Sequence, residues 1–76
     1  MAAAYVFIQG KAEDPRPVVQ ALRGVSGVKQ AHALAGPTDF VVYVEGADQA
    51  AIEETLLAIR KVGGVASTDT RFVVLD

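Results

Sequence analysis

Cysteine is absent from this chain of 76 residues. That excludes disulfide support and thiolate metal sites. Histidine occurs once, as His32, so a His-rich metal centre is excluded too. No Cys nucleophile and no Ser-His-Asp constellation is present for nucleophilic catalysis. An excess of basic charge is also missing: the formal net charge is −2, whereas a nucleic-acid binder carries a basic patch. No apolar run approaches the roughly 20 residues that span a bilayer. The opening MAAAYVFIQG lacks a cationic leader, and its apolar stretch is short for a signal peptide. The expectation is a soluble, cytoplasmic protein with no cofactor, no membrane contact and no direct DNA binding.

What the chain does contain is a repeat. LRGVSGVKQ (Leu22–Gln30) and IRKVGGVAS (Ile59–Ser67) match at a constant spacing: Arg23 with Arg60, Val25 with Val62, Gly27 with Gly64, Val28 with Val65. Upstream, YVFIQG (Tyr5–Gly10) resembles VVYVEG (Val41–Gly46) once one residue is gapped. Two copies are too few for a solenoid. The pattern reads as one domain with internal pseudo-symmetry, spanning residues 1–76.

Each half opens on a strand. Ala4–Gln9 is short, aromatic and β-branched, with Tyr5, Phe7 and Gln9 on one face and Val6 and Ile8 on the other. Asp14-Pro15 reads as a cap followed by a first helical residue. Val18, Val19 and Leu22 form the apolar stripe of that helix, and Gly24 ends it. A second strand covers Val28–Leu34, the Gly-Pro loop Ala35–Asp39 turns the chain, and Phe40–Glu45 is a third strand. Asp48 caps a second helix with Ile52, Leu56 and Ile59 on one stripe, broken by Gly63-Gly64. A fourth strand runs from Val65 or Ala66 to Leu75, with Thr70, Phe72 and Val74 on one face and Arg71, Val73 and Leu75 on the other. The order is β-α-β-β-α-β. Two crossovers joined by a hairpin predict a ferredoxin-like α+β sandwich: an antiparallel sheet of spatial order 4-1-3-2 with both helices on one face.

Two helices cover one face, yet the strands are apolar on both. Tyr5 and Phe7 oppose Val6 and Ile8; Val41 and Tyr43 oppose Phe40, Val42 and Val44. A half-solvated sheet alternates apolar with polar, and a bare apolar face of this extent marks an interaction surface. A chain this small also tends to need support beyond its own core. With disulfides and metal excluded, we expect a dimer packed sheet to sheet about a two-fold axis.

Two stretches carry candidate chemistry. In AGPTDF (Ala35–Phe40), Gly36 and Pro37 can serve as turn residues alone. The loop can also offer backbone N–H groups to a carboxylate, and Asp39 can meet an ammonium. A free α-amino acid presents both groups. In STDTRF (Ser67–Phe72), Thr68 and Thr70 share a strand face, which is ordinary for strand threonines. In the expected topology the starts of the third and fourth strands lie at one end of the sheet, roughly 10 Å apart. His32 reads as a packed or edge histidine, Glu53-Glu54 as a solvated helix face, and Arg23 and Arg60 as complements to the two helix C-termini. GVSGV (Gly24–Val28) does not lead from a strand into a helix and is no phosphate loop. Ferredoxin-like dimers do include enzymes, but an acylphosphatase needs an Asn at its phosphate loop and this chain has none; no enzymatic activity is expected.

GPTDF (Gly36–Phe40), AIRKVGGV (Ala58–Val65) and STDTRFVVL (Ser67–Leu75), in this order and spacing, resemble the effector domain of the Lrp/AsnC transcription regulators, also called the RAM domain. The likeness spans nearly the whole chain. It implies dimers formed through the sheets, rings of higher order built from dimers, and a small amino-acid effector bound between them. The Gly-x-x-Asp hairpin lines that site in the family, which implicates Gly36, Pro37, Thr38 and Asp39; Thr68, Asp69 and Thr70 are carried over from the final strand. The family's N-terminal helix-turn-helix domain has no counterpart here, so the resemblance is to the stand-alone form. An alternative is a structural partner that co-assembles with full-length Lrp/AsnC regulators without an effector of its own.

Overall fold

The two related stretches build the same corner twice. In the computed structural model, which describes residues 1–10, 13–36 and 38–74, the elements are β1 (Ala2–Gly10), α1 (Pro15–Arg23), β2 (Val28–Ala33), β3 (Phe40–Gly46), α2 (Gln49–Arg60) and β4 (Val65–Phe72). After α1, the amides of Gly24, Val25 and Val28 donate to the carbonyls of Ala21, Leu22 and Val25. After α2, the amides of Lys61, Val62 and Val65 donate to Ala58, Ile59 and Val62, the same pattern 37 residues on. Each corner turns on a left-handed glycine, Gly27 at φ 94° and Gly64 at φ 99°. Side chains rarely tolerate that region, so both copies keep glycine there.

Both helices start on an aspartate, as expected. The Asp14 carboxylate accepts from the Arg16 amide at 3.1 Å and also holds the Arg16 guanidinium at 2.9 Å. Arg16's side chain and then its amide keep this carboxyl below its ordinary value. Asp48 Oδ1 accepts from the Ala51 amide at 2.9 Å. Such caps satisfy N–H groups that have no partner inside the helix.

The sheet is antiparallel with order β2-β3-β1-β4, which read from the other edge is 4-1-3-2. Alternation sends Ala4, Val6 and Ile8 of β1 and Phe40, Val42 and Val44 of β3 beneath the helices. There they meet Val18, Val19, Leu22, Ile52, Leu56 and Ile59, all buried. α1 packs on β2, and α2 on β3, β1 and β4. Among the described residues every buried side-chain nitrogen or oxygen has a hydrogen-bond partner. The core therefore holds no polar group waiting for a ligand, and recognition chemistry belongs to the surface. No described helix is long and apolar enough to cross a membrane.

Strand ends differ slightly from the sequence reading. β1 begins at Ala2 because Ala2 and Ala3 pair with Gly46 and Glu45; alanine carries little strand preference, and the partner strand supplies the order. β4 ends at Phe72, whose pairing with Ala4 is the last of the ladder, although the Val73 amide still donates to the Ala3 carbonyl at 2.9 Å. Leu75, placed by the sequence on one strand face with Arg71 and Val73, lies outside the described residues.

The corner also gives a test. A methyl group on Gly27 would meet Thr55 Oγ1, whose hydroxyl is already committed to the Ser26 carbonyl at 3.0 Å. Gly27→Ala is expected to destabilise by about 1–3 kcal/mol through positive φ and this contact. Gly63 has open space around it, and Gly63→Ala is expected to stay within about 0.5 kcal/mol. Urea midpoints of the two variants check the contrast; equal midpoints would remove the assigned role of Gly27.

Candidate functional site

Chemistry at the surface concentrates at one end of the sheet and on its open face. The end is built where the β2–β3 hairpin meets the last residues of β1. Leu34 donates its amide to the Asp39 carbonyl at 2.7 Å, and the Asp39 amide donates to the Ile8 carbonyl at 2.9 Å. The Asp39 side chain turns the same way: its Oδ2 accepts from the Gly10 amide at 2.9 Å. A carboxylate accepting a backbone N–H forms a strong, charge-assisted bond. Asp39 is half-buried, as is Thr38, whereas Gly36 is exposed at φ 124° with open space around it. Pro37 lies outside the described residues. A hollow of about 160 Å³ opens beside Asp39, lined by Gly10, Pro15, Ala33, Leu34 and Phe40 as well.

The β4 residues are arranged differently from the hairpin. Ile8 pairs with Phe40 on one side and with Thr68 on the other. The hairpin and Thr68 thus flank β1 at the same level, two strand spacings apart, roughly 10 Å. Thr68 and Thr70 pair with Ile8 and Val6, which places both threonines on the helix side. Thr68 Oγ1 accepts from Arg60 Nε at 3.4 Å and lines a second hollow of about 220 Å³ with Arg60, Val65, Ala66 and Ser67. That hollow takes no residue from the hairpin, and the first takes none from β4. Asp69 pairs with Phe7, on the opposite face from the threonines, and holds Arg71 at 3.1 Å.

The open face carries Tyr5 and Phe7 of β1, Val41 and Tyr43 of β3, and His32 at the β2 edge. Tyr5 and Tyr43 pair across the strands with ring centroids 5.0 Å apart. The Arg71 guanidinium sits over the Phe7 ring at 5.4 Å, a cation–π geometry. Tyr43 donates its hydroxyl to Glu45 at 3.1 Å. His32 is exposed beside Gln30, an edge histidine. Among the described residues no cluster of three or more His, Asp or Glu side chains can hold a metal ion.

Three features escaped the sequence reading. Gly10 supplies the partner of the Asp39 carboxylate. Arg23 reaches beyond its helix end and donates to the Ala31 carbonyl on β2 through Nε at 3.1 Å and Nη2 at 3.0 Å. Arg60 makes the equivalent reach to Thr68. The sequence did hold a clue to the arginines, since each acceptor lies eight residues after its arginine in the matching half.

No curated protein matches the chain by sequence. Solved structures do match in shape. A hypothetical protein of Pyrococcus horikoshii superposes with a TM-score of 0.87 at 26% identity, over 100% of this chain and 93% of that one. AsnC of Escherichia coli superposes with a TM-score of 0.88 at 19% identity, over 99% of this chain and 52% of AsnC. A transcriptional regulator of Neisseria meningitidis in complex with L-Met superposes with a TM-score of 0.84 at 23% identity, over 99% of this chain and 51% of the regulator. The chain thus spans about half the length of these two regulators. The profile described as the Lrp/AsnC ligand binding domain matches residues 3–75. A match over so much of the sequence, joined to the βαββαβ fold and the Gly36–Asp39 hairpin, places the chain in the Lrp/AsnC ligand-binding domain family.

Proposed function

We propose that this chain is an amino-acid-sensing effector module that works as a dimer packed through its open sheet face, with the effector held between subunits. The observation that carries the reading is the hairpin end of the sheet. There a half-buried aspartate, an exposed glycine turn and a hollow of about 160 Å³ meet, in a chain whose family is one of ligand-binding domains. One oxygen of Asp39 is held by Gly10; the other is the counter-charge for an α-ammonium. Turn N–H groups around Gly36 and Thr38 are suited to the α-carboxylate. Leu34, 43% exposed beside the hollow, offers apolar surface to an aliphatic side chain. The bound methionine of the Neisseria regulator makes L-methionine a first ligand to try.

Within one subunit the two halves of the candidate site lie roughly 10 Å apart, too wide for tight chelation of one small group, and Thr68 and Thr70 face the helix side. A pocket shared by two subunits can bring a second subunit's surface to the hairpin, which is why sensing and assembly are proposed together. Thr68, Asp69 and Thr70 belong to the proposed site in this shared sense. No reaction is proposed, and the module acts by binding alone.

A thermal-shift series with the twenty amino acids tests the reading. A ligand at 100 times its dissociation constant stabilises by about 2.7 kcal/mol. In a domain of this size that corresponds to a rise in midpoint of roughly 10–20 °C. If no amino acid moves the midpoint, the sensing role is wrong.

A further inference from the structure

We infer that Asp39 is a positioning residue as well as a charge: its bond to Gly10 is the latch that fixes the effector hairpin to the start of β4. Gly10 is where three segments converge. Its amide donates to Asp39 Oδ2 at 2.9 Å. It pairs with Val65, the first residue of β4, at a register irregularity between Gln9 and Gly10. A methyl group placed on it would run into the Gly64 carbonyl and would lie 3.0 Å from the Phe40 ring. The residue is thus hemmed in by the α2–β4 corner on one side and by the first residue of β3 on the other. A shift of the hairpin carries Gly10 with it, and Gly10 presses on the corner from which β4 departs.

Two comparisons within the molecule set this junction apart. By the repeat, Gly46 corresponds to Gly10. There the space is closed by Ala51 and Ile52 of α2, at 3.0 Å and 3.2 Å from the added carbon. One end of the sheet is thus sealed by a helix and the other tied by a carboxylate. The second comparison lies in Asp39 itself. Its amide, carbonyl and carboxylate all point back into the sheet, to Ile8, Leu34 and Gly10. The first two are backbone bonds that any non-proline residue could make; the bond to Gly10 is the one that the carboxylate supplies. The register irregularity supplies the geometry: one step from Gln9 to Gly10 on β1 spans two from Ser67 to Val65 on β4, leaving Ala66 as the extra residue, and such irregularities re-aim groups at a strand end.

Asp39→Asn and Asp39→Ala separate the latch from the charge. The asparagine oxygen still accepts from the Gly10 amide, whereas alanine has no acceptor. In the ligand-free full chain, amide hydrogen exchange at Gly10 is expected to rise about tenfold or more in Asp39→Ala, and to stay much nearer wild type in Asp39→Asn. Circular dichroism establishes that both variants are folded. The second readout rests on the amino-acid reading of the site: affinity for L-methionine by calorimetry. A positioning role predicts that Asp39→Ala weakens binding about tenfold more than Asp39→Asn, because the asparagine restores the latch without the charge. Equal losses in the two variants overturn the positioning role. Unchanged Gly10 exchange in Asp39→Ala overturns the latch. Should methionine fail to bind the wild-type protein, that result counts against the amino-acid reading, and the exchange comparison alone decides the latch.

Discussion

Val41→Lys is expected to turn the proposed dimer into a folded monomer. Val41 sits on the open face of β3, between Phe7 of β1 and His32 of β2. Neither neighbour is a carboxylate, so nothing directly opposite neutralises an ammonium at this position. In a lone subunit the new charge stays in water, and the buried neighbours Phe40 and Val42 point the other way; the fold loses little. In a sheet-to-sheet dimer the two-fold axis brings two such charges into one apolar interface. Each costs several kcal/mol to desolvate without a partner. A total of about 6 kcal/mol or more raises the dissociation constant by four decades or more. Gln20→Lys makes the same charge change on the exposed face of α1 and should leave assembly alone. Sedimentation equilibrium across a concentration series reads both variants. A wild-type protein that runs as a monomer, or a Val41→Lys variant that dimerises as tightly as wild type, would remove the sheet-face interface.

The proposed interface rests on residues that alternation makes visible. Tyr5 and Phe7 stand opposite Val6 and Ile8 on a strand of period two, so an apolar outer face could be read before any register was known. The corners were equally plain, because Gly27 and Gly64 recur 37 residues apart and both are left-handed. Asp14 and Asp48 announced their helices by type and position. Other features depend on what the fold brings together. The Asp39–Gly10 bond spans 29 residues and exists only once the hairpin lies against the end of β1. Thr68 and Thr70 share a face by spacing alone, but that the face is the helix side follows from their pairing with Ile8 and Val6. Arg23 and Arg60 were read as partners of the helix ends, where they do sit. Their further reach to Ala31 and Thr68 requires β2 and β4 to lie beside the helices.

The arginines also bear on how the edges of the sheet are protected. β2 and β4 are the edge strands, and an unpaired edge invites pairing with another chain. Arg23 occupies the Ala31 carbonyl with two nitrogens, which takes one acceptor of β2 out of play. On β4, Arg60 meets the Thr68 hydroxyl instead. The pseudo-symmetry of the chain therefore preserves the reach of the arginine and changes its acceptor. The blocked carbonyl adds to the reasons for placing the proposed contact between subunits on the face.

Ile8→Ala is expected to cost about 2–5 kcal/mol, the range for emptying a buried aliphatic site. Ile8 is fully buried on a central strand, pairing with Phe40 on one side and Thr68 on the other, while its carbonyl holds the Asp39 amide. Removing the side chain withdraws apolar contact from under the helices at the level where the hairpin and β4 are both anchored. Collapse to fill the space is resisted because the strand is hydrogen-bonded on both edges. A domain of this size has little stability in reserve, so a loss in this range takes a large part of the total. Leu57→Ala provides the reference: Leu57 is 56% exposed on α2, and its loss is expected to stay within about 0.5 kcal/mol. Urea unfolding must be run at one fixed protein concentration, because assembly adds to apparent stability by mass action. A loss below about 1 kcal/mol for Ile8→Ala, or a larger one for Leu57→Ala, would contradict the packing of sheet against helices on which the candidate site rests.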